Sequence, residues 1–527
     1  MKQTKRLPLS LALLLGGCTL GPNFKPPAPP AGTAYNNSAP GVAQNAPNPN
    51  WWAGFNDPVL TSLMREAIAG SPSLQEALLR VEQAHENVVT SRAAGLPTLG
   101  ATGSFKREQE GLKGLAESGG AYSQLNQLAQ QANSISPGSG ATLNNGASSA
   151  LDSLGQPINL YSYSLSSSWE LDLFGKVRRQ VEAAKANADE ATDAARESLV
   201  MLESQIAQAY FQLRAAQAAL AQQQQNVRAT ALTLQLTQSQ AAHGLAPQSD
   251  VEQARTAYLG QQAKLPTYIK QVAQDMTQID ILTGKPPGAL DAQLAQATPL
   301  PTPPALIGTG VPASLARRRP DIREAEDNLH AATAQIGVAV ASFYPDISLT
   351  GSVGFHALDA SYLTNWANLF YAFGPSISLP IFEGGKLSSN LRLARISQAN
   401  AALQYRATVL NALAEVENAL VAYREDQQTL ADAQGTAQAA RISFNLAQSR
   451  YQHGLASLLP ALQAQDSLVS ANQQEIQAQS QLDVDAATLY TALGGGWQES
   501  EQAVTPPPIN PAPPIAPGAA DTLADPR

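Results

Sequence analysis

Two periods alternate along this chain. The first is helical: no Pro or Gly occurs from Lys176 to His243, and apolar residues recur in steps of three and four at Leu199, Leu202, Ile206, Ala209, Leu213, Ala216 and Leu220, then more sparsely through Val227 and Leu234. Lys386 to His453 has no Pro and one Gly, Gly435, with Val409, Leu413, Val416, Leu420 and Tyr423 in the same rhythm. This spacing predicts two long helices, each with a narrow apolar seam that lies beside neighbours of its own kind. At about 1.5 Å per residue each would be on the order of 100 Å long. The second period is two. Tyr161, Tyr163, Leu165, Trp169, Leu171 and Leu173 alternate with Ser162, Ser164, Ser166, Ser168, Glu170 and Asp172. Ile347, Leu349, Val353 and Phe355 alternate with Ser348, Thr350, Ser352 and His356, and Tyr371, Phe373, Ile377, Leu379 and Ile381 with Ala372, Gly374, Ser376 and Ser378. A weaker stretch runs from Leu99 past Phe105.

These stretches predict strands that are apolar on one face and Ser-rich on the other, with aromatics toward the ends. That is the pattern of a transmembrane β-barrel strand, with lipid outside and water inside. A single such strand would suit a half-buried soluble sheet equally well; four of them favour the membrane. Pro375 and Pro380 weaken the last strand, since Pro cannot donate to the ladder. Four strands per chain cannot close a barrel, and an open edge is not viable in lipid. The pattern therefore requires an oligomer that pools its strands, 8 from a dimer or 12 from a trimer.

The arrangement occurs twice. Ala184, Arg196, Arg214 and Leu220 match Ala394, Arg406, Arg424 and Leu430 at a constant offset of 210, and the run His243-Gly244-Leu245-Ala246 returns as His453-Gly454-Leu455-Ala456. Upstream, a helix predicted over 71–94 returns near Pro320 to Ser342 at an offset of 248, as do Pro97 at Pro345 and Thr102 at Thr350. The chain reads as a tandem duplication. After each His-Gly pair a return helix is predicted, to about Leu282 and about Leu493, so each pair marks a hairpin tip. His suits the C-terminal end of the helix dipole and Gly the left-handed cap. Capping alone accounts for these residues, and a docking role is compatible with it. The copies differ in their strand loops: Ser104 to Phe174 spans 70 positions and Ser352 to Phe382 only 30. The additional segment, near Gly111 to Gln156, reads as a surface loop with room for a short helix around Leu125 to Ala132.

Lys2, Lys5 and Arg6 precede the apolar run Leu7 to Leu15, closed by Gly16, Gly17 and Cys18. This is a signal peptide, too short for a membrane-spanning helix. The lone cysteine after Leu15-Gly16-Gly17 fits a lipobox, which makes Cys18 the lipidation candidate, and Thr19 after it implies sorting to the outer membrane. From Thr19 to Asn50 the chain is Pro-, Asn- and Ala-rich, an extended tether ending at an aromatic cluster of Trp51, Trp52 and Phe55 that is expected to anchor it.

Charged residues make up only 14 %, and the formal net charge is −9, which argues against a phosphate-binding surface and so against nucleic acid as a partner. His85, His243, His330, His356 and His453 show no metal-ligand spacing. There is no GxSxG, P-loop or post-strand GxGxxG motif, so neither catalysis nor a cofactor is expected.

Together these features resemble the outer membrane efflux family, of the TolC and OprM type, in its lipoprotein branch. The residues that carry the resemblance are Cys18-Thr19-Leu20-Gly21-Pro22, Trp52 with Asp57 and Leu60, and Trp169-Glu170-Leu171-Asp172-Leu173-Phe174-Gly175. In the second copy they are Arg319-Pro320-Asp321-Ile322, Phe343-Tyr344-Pro345, Gly374-Pro375-Ser376 and Leu379-Pro380-Ile381-Phe382-Glu383-Gly384-Gly385. The resemblance implies a mixed α and β fold built from two tandem structural repeats. It would be a homotrimer whose 12-stranded transmembrane β-barrel, four strands per protomer, continues into a 12-helix periplasmic α-barrel. On this reading residues 1–17 are the lipoprotein signal peptide, 18–58 a lipidated Pro-rich tether, 59–283 the first repeat, 284–312 an equatorial linker, 313–493 the second repeat and 494–527 a Gly/Pro-rich tail. The implied function is a passive exit duct for drugs or other small molecules, anchored in outer membrane lipid. It is joined through a periplasmic adaptor to an inner-membrane pump, usually of the resistance-nodulation-division type. Protein export through a type I system and a non-channel coiled-coil scaffold remain alternatives. The family closes its periplasmic end just beyond the second tip. The gate candidates here are Leu459, Gln463 and Asp466, with Asp250 and Glu252 at the first tip; His243, Gly244, Leu245, His453, Gly454 and Leu455 are the docking candidates.

Overall fold

The structure is a computed structural model that describes residues 19–28, 34–109, 112–153, 156–296, 298–498 and 500. The signal segment 1–17, Cys18 and the chain beyond 500 lie outside the described residues.

In chain order the elements begin with β1 (Val42–Ala43) and a 3-10 turn at Trp51–Phe55, followed by α1 (Pro58–Gly70), α2 (Pro72–Ala93) and β2 (Thr98–Glu108). The insertion holds α3 (Leu112–Ser118), α4 (Ala121–Ile135) and α5 (Ser139–Ser153), and leads to β3 (Ile158–Glu170), α6 (Lys176–Ala242) and α7 (Gln248–Leu282). Next come α8 (Asp291–Leu294), β4 (Ile307–Gly308), α9 (Pro312–Arg318), α10 (Pro320–Ala341), β5 (Asp346–Ala357), β6 (Leu369–Ser378), α11 (Lys386–Gln452) and α12 (Leu458–Ala492). Both long helices have 67 residues and both return helices 35. Pro starts α1, α2, α9 and α10, where its missing N–H leaves no bond unmade.

The chain divides into two compact units. One contains Thr90–Arg179 and Gly337–Asn390 with residues 19–21. Its centre is an antiparallel sheet in the order β2-β3-β5-β6. Two differences from the sequence reading arise here. The alternation continues to Leu173, but β3 stops at Glu170, because the Asp172 carboxylate turns back to accept from the Arg178 backbone N–H at 2.9 Å and so caps α6. The insertion is not mainly loop: three helices fill it, and Gly140 lets α5 lie against the backbone of Ala129 in α4, where a side chain would collide.

The other unit holds Pro22–Val89, Gln180–Ile336 and the described residues from Leu391 onward. Its core is the helical seam anticipated above. Leu199, Leu202, Ile206, Ala209 and Leu213 of α6 pack in one cluster with Val416, Leu420 and Tyr423 of α11 and Leu482, Leu489 and Tyr490 of α12. The tether adds its own residues to this cluster, with Trp51 stacked on Tyr490 at 5.2 Å and Phe55 against Phe211 at 4.8 Å. It is also docked over part of its length rather than loosely extended. The backbone N–H groups of Asn36 and Asn37 donate to the Glu417 carboxylate at 2.7 and 2.9 Å, and β1 pairs in parallel with β4. Phe24 stacks on His330 at 4.4 Å.

Candidate functional site

The sheet separates its residues by chemistry. Registering the four strands places Leu99, Ala101 and Phe105 in line with Tyr161, Tyr163, Leu165 and Trp169, then with Leu349, Val353 and Phe355, then with Tyr371, Phe373 and Ile377. Among the described residues much of this face is open: Leu99 is 76 % exposed, Tyr371 68 % and Phe373 81 %. Aromatic rings collect toward its ends. Phe105 meets Tyr161 at 4.8 Å and Tyr163 meets Phe355 at 5.2 Å beside the hairpin loops, while Trp169 stands at the end next to α6 and donates its indole N–H to Gly95 O at 3.0 Å. The opposite face is a ladder of hydroxyls, with Thr102 Oγ1 3.0 Å from Ser164 Oγ and Ser104 Oγ 2.8 Å from Ser162 Oγ. A lipid-facing band flanked by aromatic girdles, backed by a wettable surface, is what a barrel wall requires. Pro375 lies on β6, an edge strand, the position in a sheet that tolerates it. No helix among the described residues is long and apolar enough to cross a membrane.

The Trp169-to-Gly175 run forms the strand-to-helix junction. Lys176 Nζ reaches Glu170 at 3.3 Å and Asp346 at 3.2 Å, Arg178 pairs with Asp172 at 3.1 Å, and Phe174 stacks on Tyr344 at 5.0 Å. Gly175 has φ +80°, and a side chain on it would come within 2.9 Å of Thr19 Cα. In the helical unit the Arg319-Pro320-Asp321-Ile322 run ties α10 to α11 and α12. The Arg319 guanidinium pairs with Asp321 and Glu415, each at 2.7 Å, and donates to Ala492 O at 2.9 Å. Burial works against its charge, but the two carboxylates outweigh burial and hold it on.

The hairpin tips have matching geometry. Gly244 has φ +70° and Gly454 φ +71°. Gly244 N–H donates to Ala241 O at 3.0 Å and Leu245 N–H to Gln240 O at 2.8 Å, and Gly454 and Leu455 repeat this on Tyr451 O and Arg450 O at 3.0 and 2.8 Å. These are paired Schellman closures. His243 Nδ1 lies 2.8 Å from Ser239 O and His453 Nδ1 2.7 Å from Ser449 O, so each imidazole adds a second bond to a carbonyl that already accepts the backbone N–H of the same histidine. Leu245 and Leu455 project into solvent, 80 % and 79 % exposed.

The gate candidates divide into two groups. Leu459, Gln463 and Asp466 share an exposed stripe of α12, opposite the buried Leu458, Ala461, Gln465 and Val469. Asp250 sits in the first turn of α7 and Glu252 just beyond it, where it pairs loosely with Arg255 at 3.9 Å. Among the described residues no hydrogen bond or ion pair joins the two groups. Tyr451 does join the hairpins, and sequence reasoning missed it: its hydroxyl, on α11, donates to Gln240 Oε1 of α6 at 2.8 Å and lies 2.9 Å from Thr237 Oγ1. Around it Ala254, Leu458 and Ala461 form a second small core. A signal was present, because at the equivalent place in the first copy stands Ala241.

The profile described as outer membrane efflux protein matches residues 63–285 and 311–495. The chain belongs to the outer membrane efflux protein family. This efflux protein is 31 % identical to Nodulation protein T of Rhizobium leguminosarum over 94 % of its own length and 98 % of that protein. It is 32 % identical to the probable efflux pump outer membrane protein TtgC of Pseudomonas putida, over 94 % of its length and 96 % of that protein. Among solved structures it resembles the outer-membrane channel OprN, with a TM-score of 0.77, 28 % identity and coverage of 91 % of this chain and 100 % of that one. It also resembles the open state of the Neisseria gonorrhoeae outer membrane channel MtrE, with a TM-score of 0.73, 27 % identity and coverage of 91 % and 98 %. The efflux protein is thus an outer membrane channel component with a helical part and a β part.

Proposed function

We propose that three copies of this efflux protein assemble into one duct, pooling their sheets into a 12-stranded barrel and their long and return helices into a 12-helix periplasmic tunnel. One observation carries the reading. Among the described residues the sheet has two unpaired edge strands, β2 and β6, a largely open apolar face and a hydroxyl-lined face behind it. Edges left open in lipid would each strand a row of backbone donors and acceptors. Closure by copies of the same chain resolves both problems, and the hydroxyl face becomes the wall of a water-filled lumen. The duct is passive, as its membership of the outer membrane efflux protein family supports, and its cargo, drugs or other small molecules, is chosen by an inner-membrane pump, of resistance-nodulation-division type. A periplasmic adaptor connects the two by docking at the tips around His243 to Leu245 and His453 to Leu455. The stripe Leu459, Gln463 and Asp466, with Asp250 and Glu252, narrows the periplasmic end. Cys18 carries the lipid anchor.

The test is reconstitution. Purified protein should migrate as a heat-modifiable oligomer and give discrete conductance steps in planar bilayers, and cross-linking in cells should recover an adaptor and a pump. A monomer without conductance would overturn the duct.

A further inference from the structure

The first described residues of the chain are held with more care than a tether needs. Thr19 lies on Gly175, whose left-handed backbone and missing side chain leave the space it occupies. Leu20 N–H donates to Phe174 O at 3.4 Å. The Arg179 guanidinium, nearly fully buried one turn into α6, donates from Nε to Leu20 O at 3.0 Å and from Nη2 to Gly21 O at 3.3 Å. Its stem passes over Gly337 of α10, where a side chain would come within 2.7 to 2.8 Å of Arg179 Cγ, Cδ and Nε. Two glycines, one in the turn before α6 and one in α10, thus make room, one for the peptide and one for the arginine that grips it.

We propose that Arg179, packed on Gly337, is the receptor for the mature N-terminus and fixes the level at which the acyl anchor enters the bilayer. This rests on the reading that Cys18 is acylated. Cys18 is one peptide unit, about 3.8 Å between α-carbons, from the gripped Thr19. The grip lies at the junction where β3 ends and α6 begins, beside Trp169, the aromatic that closes the apolar sheet face at that end. Such aromatics sit at the headgroup level. A lipid attached there enters the leaflet at the same height as the sheet's own boundary, so anchor and barrel wall insert in register. A buried charge-assisted donor pair on two successive carbonyls is also strong enough to keep a short, flexible peptide in place.

The experiment uses the full chain in isolated outer membranes with the periplasmic face accessible. Chymotrypsin cuts after Leu and Phe, and in this segment those are Leu20 and Phe24; cleavage is read by intact mass and acylation separately by palmitate label, with Cys18→Ser as the unlabelled control. The wild-type segment is expected to resist. Arg179→Met, which keeps the stem on Gly337 but removes the donors, should be cut about tenfold faster, Gly337→Leu should reproduce that, and Arg179→Lys should be intermediate. Should Arg179→Met fail to assemble, Arg179→Lys decides alone. Cutting of Arg179→Met and Gly337→Leu at the wild-type rate, or of Arg179→Lys where it decides alone, overturns the clamp. A wild-type chain without label overturns the acylation reading, and with it the role of the clamp as a lipid-level setter, whatever the cleavage rates show.

Discussion

The Tyr451 hydroxyl donates to Gln240 Oε1 at 2.8 Å, so the second hairpin is tied to the first within one helical turn of both tips. The contact is cross-element, part-buried and made by a group that has no counterpart in the first copy. Tyr451→Phe keeps the ring in its small core and removes only the bond, at a cost of about 1 kcal/mol. Trimer yield should be unchanged and single-channel conductance or open probability should rise. Unaltered conductance would show that the bond is structural and does not hold the end closed.

A charge should be tolerated on one sheet face only. Leu165 and Ser166 are adjacent in β3 and point to opposite sides. Leu165→Lys places an ammonium in the apolar row and should cost about 2 to 4 kcal/mol near the bilayer midplane, read as loss of heat-modifiable oligomer from the outer membrane fraction. Ser166→Lys should assemble. Equal yields would reverse the assignment of lipid and lumen faces.

Bulk at the tips tests docking. Gly244 and Gly454 both adopt positive φ, and an added Cβ meets nothing within 4 Å at either site. Valine there pays only for the left-handed backbone, about 1 kcal/mol, too little to stop folding. Gly454→Val, alone or with Gly244→Val, should give inserted oligomers that no longer cross-link to the adaptor or restore drug resistance. Full resistance with normal cross-linking would move the docking surface elsewhere.

Acid should stabilise the helical unit. Burial pushes the Asp483 carboxyl up to about 8, with only Gln479 Nε2, 3.1 Å from Oδ1, opposing it. Asp485 is raised to about 7 by burial and by the neighbouring Asp426 carboxyl. Because the folded values lie above the unfolded one, the folded state holds more protons in between, and stability falls as pH rises from about 4 to about 8. The slope from one such group is at most about 1.4 kcal/mol per pH unit. Thermal dissociation should therefore occur at lower temperature at pH 8 than at pH 5, and Asp483→Asn should flatten the difference. An unchanged slope in the variant would assign it to other carboxylates.

Where a single period governs many residues, the fold is legible in the sequence. The seam from Leu199 to Leu213 is buried throughout, and the alternation around Tyr163 and Leu165 maps onto one sheet face. Features set by distant partners were not legible. Nothing near Asn36 announces that Glu417 will accept its backbone N–H, and nothing in the Arg178-Arg179 pair says which will find Leu20 O. In the insertion the helix expected around Leu125 to Ala132 lies inside α4, while the flanking helices are not announced by the sequence. Ser139–Ser153 offers only a short stripe, Leu143, Ala147 and Leu151, among Gly, Ser and Asn, and the close approach to α4 at Gly140 is set by a partner in that other helix, Ala129.

The equal lengths of α6 and α11, and of α7 and α12, limit how this chain can change. Each residue deleted from a helix shortens it by about 1.5 Å, whereas the hydrogen bond between Tyr451 and Gln240 survives displacements of only a few tenths of an ångström. A heptad lost from one long helix would withdraw its tip by about 10 Å and leave the other standing alone. Lengthening or shortening is therefore a concerted event, made in four helices or in none, and the tips stay level because no helix can change length alone.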